Sequence, residues 1–141
     1  MSGSGLQFAV ELAAAPERVF AALTEARLLG RWFCDACESE PRVNGRLVMR
    51  WTRPGSSRQP FEARWVEFSP PLRAAYQGGH GDYPDGDAGR VWFALAAAGA
   101  GTRLELRHEL PKRPGYDAHA ETWRAAWPRA LDRLATLLAS A

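Results

Sequence analysis

The sequence predicts an α+β fold: an antiparallel sheet of about seven strands, curved round one long C-terminal helix, with two short helices after the first strand. Three observations carry that prediction. Apolar residues alternate with polar ones at the start of the chain and again near residue 104, in the period of two that a half-buried strand requires. Turn chemistry punctuates the middle of the chain at Asn44-Gly45, Ser69-Pro70-Pro71 and Gly99-Ala100-Gly101. Near the C-terminus Trp123, Trp127, Leu131, Leu134 and Leu138 recur at spacings of four, four, three and four, the stripe of an amphipathic helix. The 141 residues are 46% hydrophobic and 24% charged, which is ordinary globular usage, and a chain of this length hides roughly 68–70% of its unfolded surface without any staple. One domain over residues 1–141 is the expectation.

Leu6, Phe8, Val10 and Leu12 alternate with Gln7, Ala9 and Glu11, so the first element is a strand. Pro16 fits a first helical position, Glu17 sits favourably beside the positive helix end, and Val19, Phe20 and Leu23 form an apolar face; a helix over Pro16–Glu25 follows. Leu28, Leu29, Trp32 and Phe33 keep helical spacing and predict a second short helix ending near Trp32. Asn44-Gly45 between Ser39–Val43 and Arg46–Trp51 predicts a tight hairpin, with Leu47, Met49 and Trp51 on one face. Arg53–Gln59 reads as a loop, Phe61–Phe68 as a strand and Leu72–Gln77 as its partner. Gly78–Gly89, with five Gly, three Asp and a Pro, reads as a long mobile connection bordering a binding site. Val91, Phe93 and Leu95 alternate again. Leu104, Leu106, His108 and Leu110 then alternate against Arg103, Glu105, Arg107 and Glu109, and that charged face predicts a solvated ladder with Glu62, Arg64 and Arg73 on neighbouring strands. The last helix is expected to begin near Asp117 as N-cap and to kink at Pro128, since the apolar stripe runs through that position.

Eighteen basic residues, all Arg except Lys112, against 16 acidic ones give a formal charge of +2, too even a balance for a nucleic-acid binder. No run approaches 18 uninterrupted apolar residues, and Met1–Gly5 has no basic segment leading into an apolar one, so a cytoplasmic protein away from membranes is expected. Cys34-Asp35-Ala36-Cys37 has the spacing of redox motifs and half-zinc sites. Zinc needs four ligands, however, there is no second pair, and His80, His108 and His119 lie far apart in sequence. A thioredoxin-type site would open a helix after a strand, whereas this pair follows a helical stretch. Reduced loop thiols are expected, with no metal and no cofactor. Gly78-Gly79-His80-Gly81 lacks the Gly-Lys-Ser/Thr ending of a phosphate cradle and precedes a strand. Asp82, Asp85 and Asp87 lack the spacing and closing Glu of a calcium loop.

A curved sheet gripping one helix leaves space between the two layers. His108 is the one titratable side chain on an otherwise apolar strand face, with an ordinary pKa near neutrality, which makes it a weak catalytic candidate; a lone inward His is more commonly a satisfied core residue. Tyr76 shares its strand face with Leu72 and Ala74 and is a candidate hydroxyl donor. Trp32, Trp51, Trp65, Trp123 and Trp127 fall on elements bordering the inner space, and buried indole N–H groups ask for acceptors. With Phe33, Met49, Tyr76, Phe93 and His108 they form the candidate ligand-binding set for an amphipathic small molecule. Trp92 has the parity of Arg90 and is assigned to the outer face, and His80 is expected in solvent. No Ser-His-Asp or Cys-His arrangement can be assembled from the sequence.

The segments APERVFAALTEARLLGRWF at 15–33, VNGRLVMRW at 43–51, EARWVEFSPPLRAAYQ at 62–77, TRLELRHEL at 102–110 and WPRALDRLATLL at 127–138 resemble, in order and spacing, the family named after the activator of heat-shock protein 90 ATPase. That family lies in the START-like, or SRPBCC, superfamily with the helix-grip fold. Asn44-Gly45 stands where the family often has Gly-Gly, and the additional N-terminal domain of the eukaryotic co-chaperones has no counterpart in this sequence. The resemblance implies an internal cavity for an apolar or amphipathic ligand, without assured catalysis. It also implies two alternatives: a polyketide cyclase or dehydratase using His108, and an interaction module stimulating a chaperone ATPase. A monomer or homodimer is expected. Fold alone does not choose among these functions.

Overall fold

The structure, a computed structural model, describes residues 5–52 and 59–140. The expected loop over Arg53–Gln59 lies almost wholly outside the described residues, as do Met1–Ser4. The alternating first segment is strand β1 (Gly5–Leu12), burying Leu6 and Leu12 while Gln7 and Glu11 face out. Pro16 opens helix α1 (Pro16–Thr24), where its missing N–H costs nothing, and Val19, Phe20 and Leu23 are its buried face. Helix α2 (Ala26–Trp32) follows directly and buries Leu29 and Trp32.

Strands β2 (Ala36–Ser39) and β3 (Arg46–Arg50) are joined by a wider loop than the expected two-residue turn. The predicted strand Ser39–Val43 contains Pro41, which has no N–H to give a ladder, so pairing stops at Ser39↔Leu47. The loop is closed by other means: the Glu40 amide donates to Arg46 O over 2.8 Å, and the Arg46 amide donates to the Glu40 carboxylate over 2.9 Å. Asn44 still takes the positive φ of a turn residue, 66°, and a Cβ at Gly45 would run into the Glu40 carbonyl. Cys37 therefore lies on a strand and not in a loop.

Strands β4 (Phe61–Ser69), β5 (Arg73–Gly79), β6 (Arg90–Ala98) and β7 (Gly101–Glu109) complete one antiparallel sheet in the order β1-β7-β6-β5-β4-β3-β2. Leu72 stays exposed ahead of β5 instead of sharing the inner face with Tyr76. The strand order also corrects the charged ladder. β6 and β5 separate β7 from β4, so Arg103 pairs with Glu11 on β1 and with Glu105, while Arg73 pairs with Glu67 on β4. Trp92 is on the outer face as expected, with Arg107 4.1 Å and Arg90 5.5 Å from its ring centre.

The segment between β5 and β6 is folded where a mobile connection was expected. Gly78 and Gly79 extend β5, Pro84–Gly86 make a short 3-10 turn, and Tyr83 and Ala88 are buried. Its anchors come from far along the chain: the Tyr116 hydroxyl lies 2.5 Å from Asp87 O and 2.9 Å from Pro84 O, and Arg113 reaches the Asp85 carboxylate at 2.7 Å.

Helix α3 (Asp117–Ala139) follows Tyr116, which takes the N-cap place expected of Asp117. It runs through Pro128 as one element because the buried stripe holds it on both sides of the proline: Ala120 and Trp127 before, Ala130, Leu131, Leu134 and Leu138 after. The curved seven-stranded antiparallel sheet wraps this helix in the helix-grip arrangement. Arg133 donates to Trp32 O over 2.9 Å and Arg18 to Leu138 O over 2.8 Å, tying α3 to the two short helices.

Candidate functional site

Strand parity composes the concave face. Met49 on β3, Phe61 and Trp65 on β4, Tyr76 on β5, Phe93 on β6 and His108 on β7 all point inward and are buried. Against them stand Trp123 and Trp127, one turn apart on α3, and Trp32 and Phe33 where α2 ends. Phe33 is the centre of this group, with ring centroids at 5.0 Å from Trp32, 5.3 Å from Trp51, 5.2 Å from Trp127 and 6.4 Å from Trp123. From Trp51 the contacts pass to Phe61 at 6.3 Å and Tyr76 at 6.2 Å, then to Trp65 at 5.8 Å and Phe93 at 6.2 Å. His108 joins through Trp123 at 5.2 Å. Every ring of the sequence-predicted set thus belongs to one connected network, and Met49 adjoins it as the register partner of Cys37 and of Phe61. Edge-on and offset pairs of this kind each contribute about 0.5–1.5 kcal/mol beyond burial.

The indole N–H groups do not wait for a ligand. Trp32 donates to Ala22 O at 2.8 Å, Trp51 to Phe33 O at 2.6 Å, Trp65 to the Ser39 hydroxyl at 3.2 Å, Trp123 to the Tyr83 hydroxyl at 2.9 Å and Trp127 to His108 Nδ1 at 3.1 Å. That corrects the expectation that they would meet acceptors on a bound molecule; what these residues offer is their ring faces.

His108, 1% exposed, is committed at both nitrogens. Because an indole only donates, Nδ1 is the acceptor and Nε2–H donates to Ala88 O over 2.8 Å. Burial pulls its pKa down to about 4, partly opposed by the Ala88 bond. The ring is neutral at ordinary pH and has no free nitrogen for a substrate. Tyr76 is the opposite case. Its side chain is 3% exposed and desolvation drives its pKa well above the usual range, yet no hydrogen bond holds its hydroxyl.

Toward one end of the site lie residues outside the sequence-predicted set. Tyr83 packs its ring 4.7 Å from His80 and 4.2 Å from His119. His80, expected in solvent, is 12% exposed at its side chain and also meets Phe61 at 6.0 Å; burial lowers its pKa. Phe61 has the parity of Trp65 and could have been found from alternation, whereas Tyr83 sits in a Gly-rich stretch that gives no local signal of burial. The described residues contain no group of three or more metal-binding side chains. A depression of about 540 Å³ on the outer face, lined by Arg73, Trp92, Arg103, Glu105 and Arg107 among others, is open and charged and lies on the other side of the sheet.

The sequence profile of the activator of Hsp90 ATPase homolog 1-like proteins matches residues 13–139. The chain belongs to that family. Among solved structures, a Rhodobacter sphaeroides protein is similar at 27% identity and a TM-score of 0.82, covering 99% of this chain and 94% of that one. The Aha1 dimer of Colwellia psychrerythraea matches at 18% identity and a TM-score of 0.77, covering 95% of each chain. DynU16, a protein in the dynemicin biosynthetic locus, matches at 19% identity and a TM-score of 0.75, covering 97% of this chain and 48% of its own. No curated protein matches. Among the described residues no helix is long and apolar enough to cross a membrane.

Proposed function

We propose that this member of the family binds a hydrophobic or amphipathic small molecule between the concave sheet face and α3, and that binding rather than catalysis is its role. The observation that carries the reading is the Tyr76 hydroxyl, a polar group deep in the aromatic interior with no hydrogen-bond partner among the described residues. Aromatic walls with a few placed polar groups are the usual make-up of a small-molecule site. Trp51 and Trp123, beside Phe33, are the two members of the set that are only half-buried. His108 supports a structural rather than a catalytic part, since any proton it exchanged would break its bond to Trp127 or Ala88. The cyclase-type activity implied by the family resemblance stays as the alternative; DynU16, which shares the fold, is a protein of a biosynthetic locus. The test is native mass spectrometry of gently purified protein together with Trp emission during titration with a panel of lipids and aromatic polyketides. A co-purifying mass or a saturable change in emission is expected; a ligand-free spectrum and a flat response to the whole panel would refute the proposal.

The family description favours a second reading, stimulation of a chaperone ATPase through protein contact. It predicts a higher ATPase rate of the chaperone at saturating protein, and an unchanged rate rejects it.

A further inference from the structure

We infer that Cys34 and Cys37 are a reactive dithiol toward small-molecule disulfides, in which Cys37 attacks first and Cys34 closes an intramolecular disulfide. Between the end of α2 and β2 the chain turns, the Asp35 amide donating to Arg50 O over 2.9 Å, and sets the two thiols within hydrogen-bonding reach of each other. Cys34 is fixed there by Leu29 O, which takes its amide at 3.2 Å and faces its Sγ at 3.8 Å. Exposure divides the roles: Cys34 is 4% exposed, while Cys37 on β2 is only half-buried and can be reached. Charge divides them the same way. Hydrogen bonding from Cys34 lowers the Cys37 pKa, and that same contact together with burial holds the Cys34 thiol up. Reactivity follows the thiolate, so first attack belongs to Cys37.

The chemistry balances with a low-molecular-weight disulfide as oxidant. The Cys37 thiolate attacks one sulfur of RSSR, forms a mixed disulfide and expels RS⁻. Cys34 then gives its proton to solvent, attacks Cys37 Sγ and expels the second RS⁻. Two electrons pass from the cysteines to RSSR, and the two protons released end on two RSH. The reaction is independent of any ligand in the aromatic interior, although it takes place at its wall: Cys34 follows Phe33, and both thiols lie close enough to Tyr76 to push its pKa up.

The experiment incubates the full chain with excess glutathione disulfide, quenches in acid, alkylates remaining thiols and maps both cysteines by mass spectrometry. The wild type is expected to lose two hydrogens and to escape alkylation at both positions. Cys34→Ser should stop at a glutathione adduct on Cys37, and Cys37→Ser should lose the reaction. Two alkylatable thiols in the treated wild type overturn the inference, as does an adduct that settles on Cys34 or that stays on Cys37 without ring closure. The wild-type map decides the matter even if a variant fails to fold.

Discussion

The two halves of the sheet are built to different standards. β1, β7 and β6 pair along their whole length, from Gly5↔Glu109 to Leu12↔Thr102 on one side and from Arg90↔Glu109 to Ala98↔Gly101 on the other. Polar groups buried there are consumed: Thr102 donates to Ala14 O at 2.7 Å, and His108 is bonded at both nitrogens. β2 and β3 have only four and five residues and pair over Ala36↔Arg50 to Ser39↔Leu47. Beside that short ladder lie half-buried Trp51 and Cys37, and β4 alone separates it from β5 with the unpartnered Tyr76. The long ladder supplies stability, and the short one leaves side chains free to answer to something other than the protein, in keeping with the general placement of binding elements at the less stable end of a fold.

The sharpest way to break that comparison is to truncate one tryptophan packed against each half. Trp127→Ala removes a side chain with 0% exposure and leaves His108 Nδ1 unpaired; a loss of about 3–5 kcal/mol is expected. Trp51→Ala, half-buried and close to the short ladder, should cost less than half as much in the same denaturant titration. Equal losses would abolish the distinction.

Next in size is pH. His108 has a folded pKa of about 4 against an ordinary 6.5, so the unfolded chain takes up a proton that the folded one refuses. Its stability is complete above pH 6.5 and falls progressively as the pH drops from 6.5 to 4, by about 3 kcal/mol in all. His108→Leu should start less stable, having orphaned the Trp127 N–H and Ala88 O, but should show a flatter profile across that window. A variant whose profile matches the wild type would place the acid sensitivity elsewhere.

How far the sequence can be read follows the same division. β6, β7 and α3 were legible because alternation and the four-four-three-four stripe are local signals that tertiary packing reinforces. The inner aromatic set was legible by parity for the same reason. The hairpin was misplaced because Asn44-Gly45 is a strong turn signal, while Pro41, three residues earlier, quietly denies the strand its ladder. The Gly78–Gly89 stretch looked mobile because its order is borrowed: Ala88 is held by His108 and Asp87 by Tyr116, twenty or more residues away. The same long reach hid the fate of the indole N–H groups, whose acceptors are main-chain carbonyls and side chains that no spacing rule connects to them.

On the outer face of the long ladder a small effect is expected. Trp92 lies between Arg107 and Arg90, and stacking of exposed guanidinium on indole is worth about 0.5–1 kcal/mol. Trp92→Ala should therefore cost no more than about 1 kcal/mol and leave ligand-induced emission changes from the interior tryptophans intact. A large loss would mean that this face, too, supports the core.

The smallest stability effect should belong to Tyr76→Phe, although the residue is among the most buried. Deleting a buried hydroxyl is costly when it orphans a partner. Here there is none to orphan, so folding stability should change by less than about 0.5 kcal/mol and the aromatic contacts to Phe61, Trp65 and Phe93 should survive. Binding should respond instead. A ligand that accepts the hydroxyl proton loses about 1 kcal/mol, roughly fivefold in Kd, while a purely apolar ligand is held as tightly as before. Comparing both ligand types on the same variant separates a hydroxyl that reads the ligand from one that merely fills space. A stability loss of several kcal/mol would reveal a protein partner and remove Tyr76 from the site.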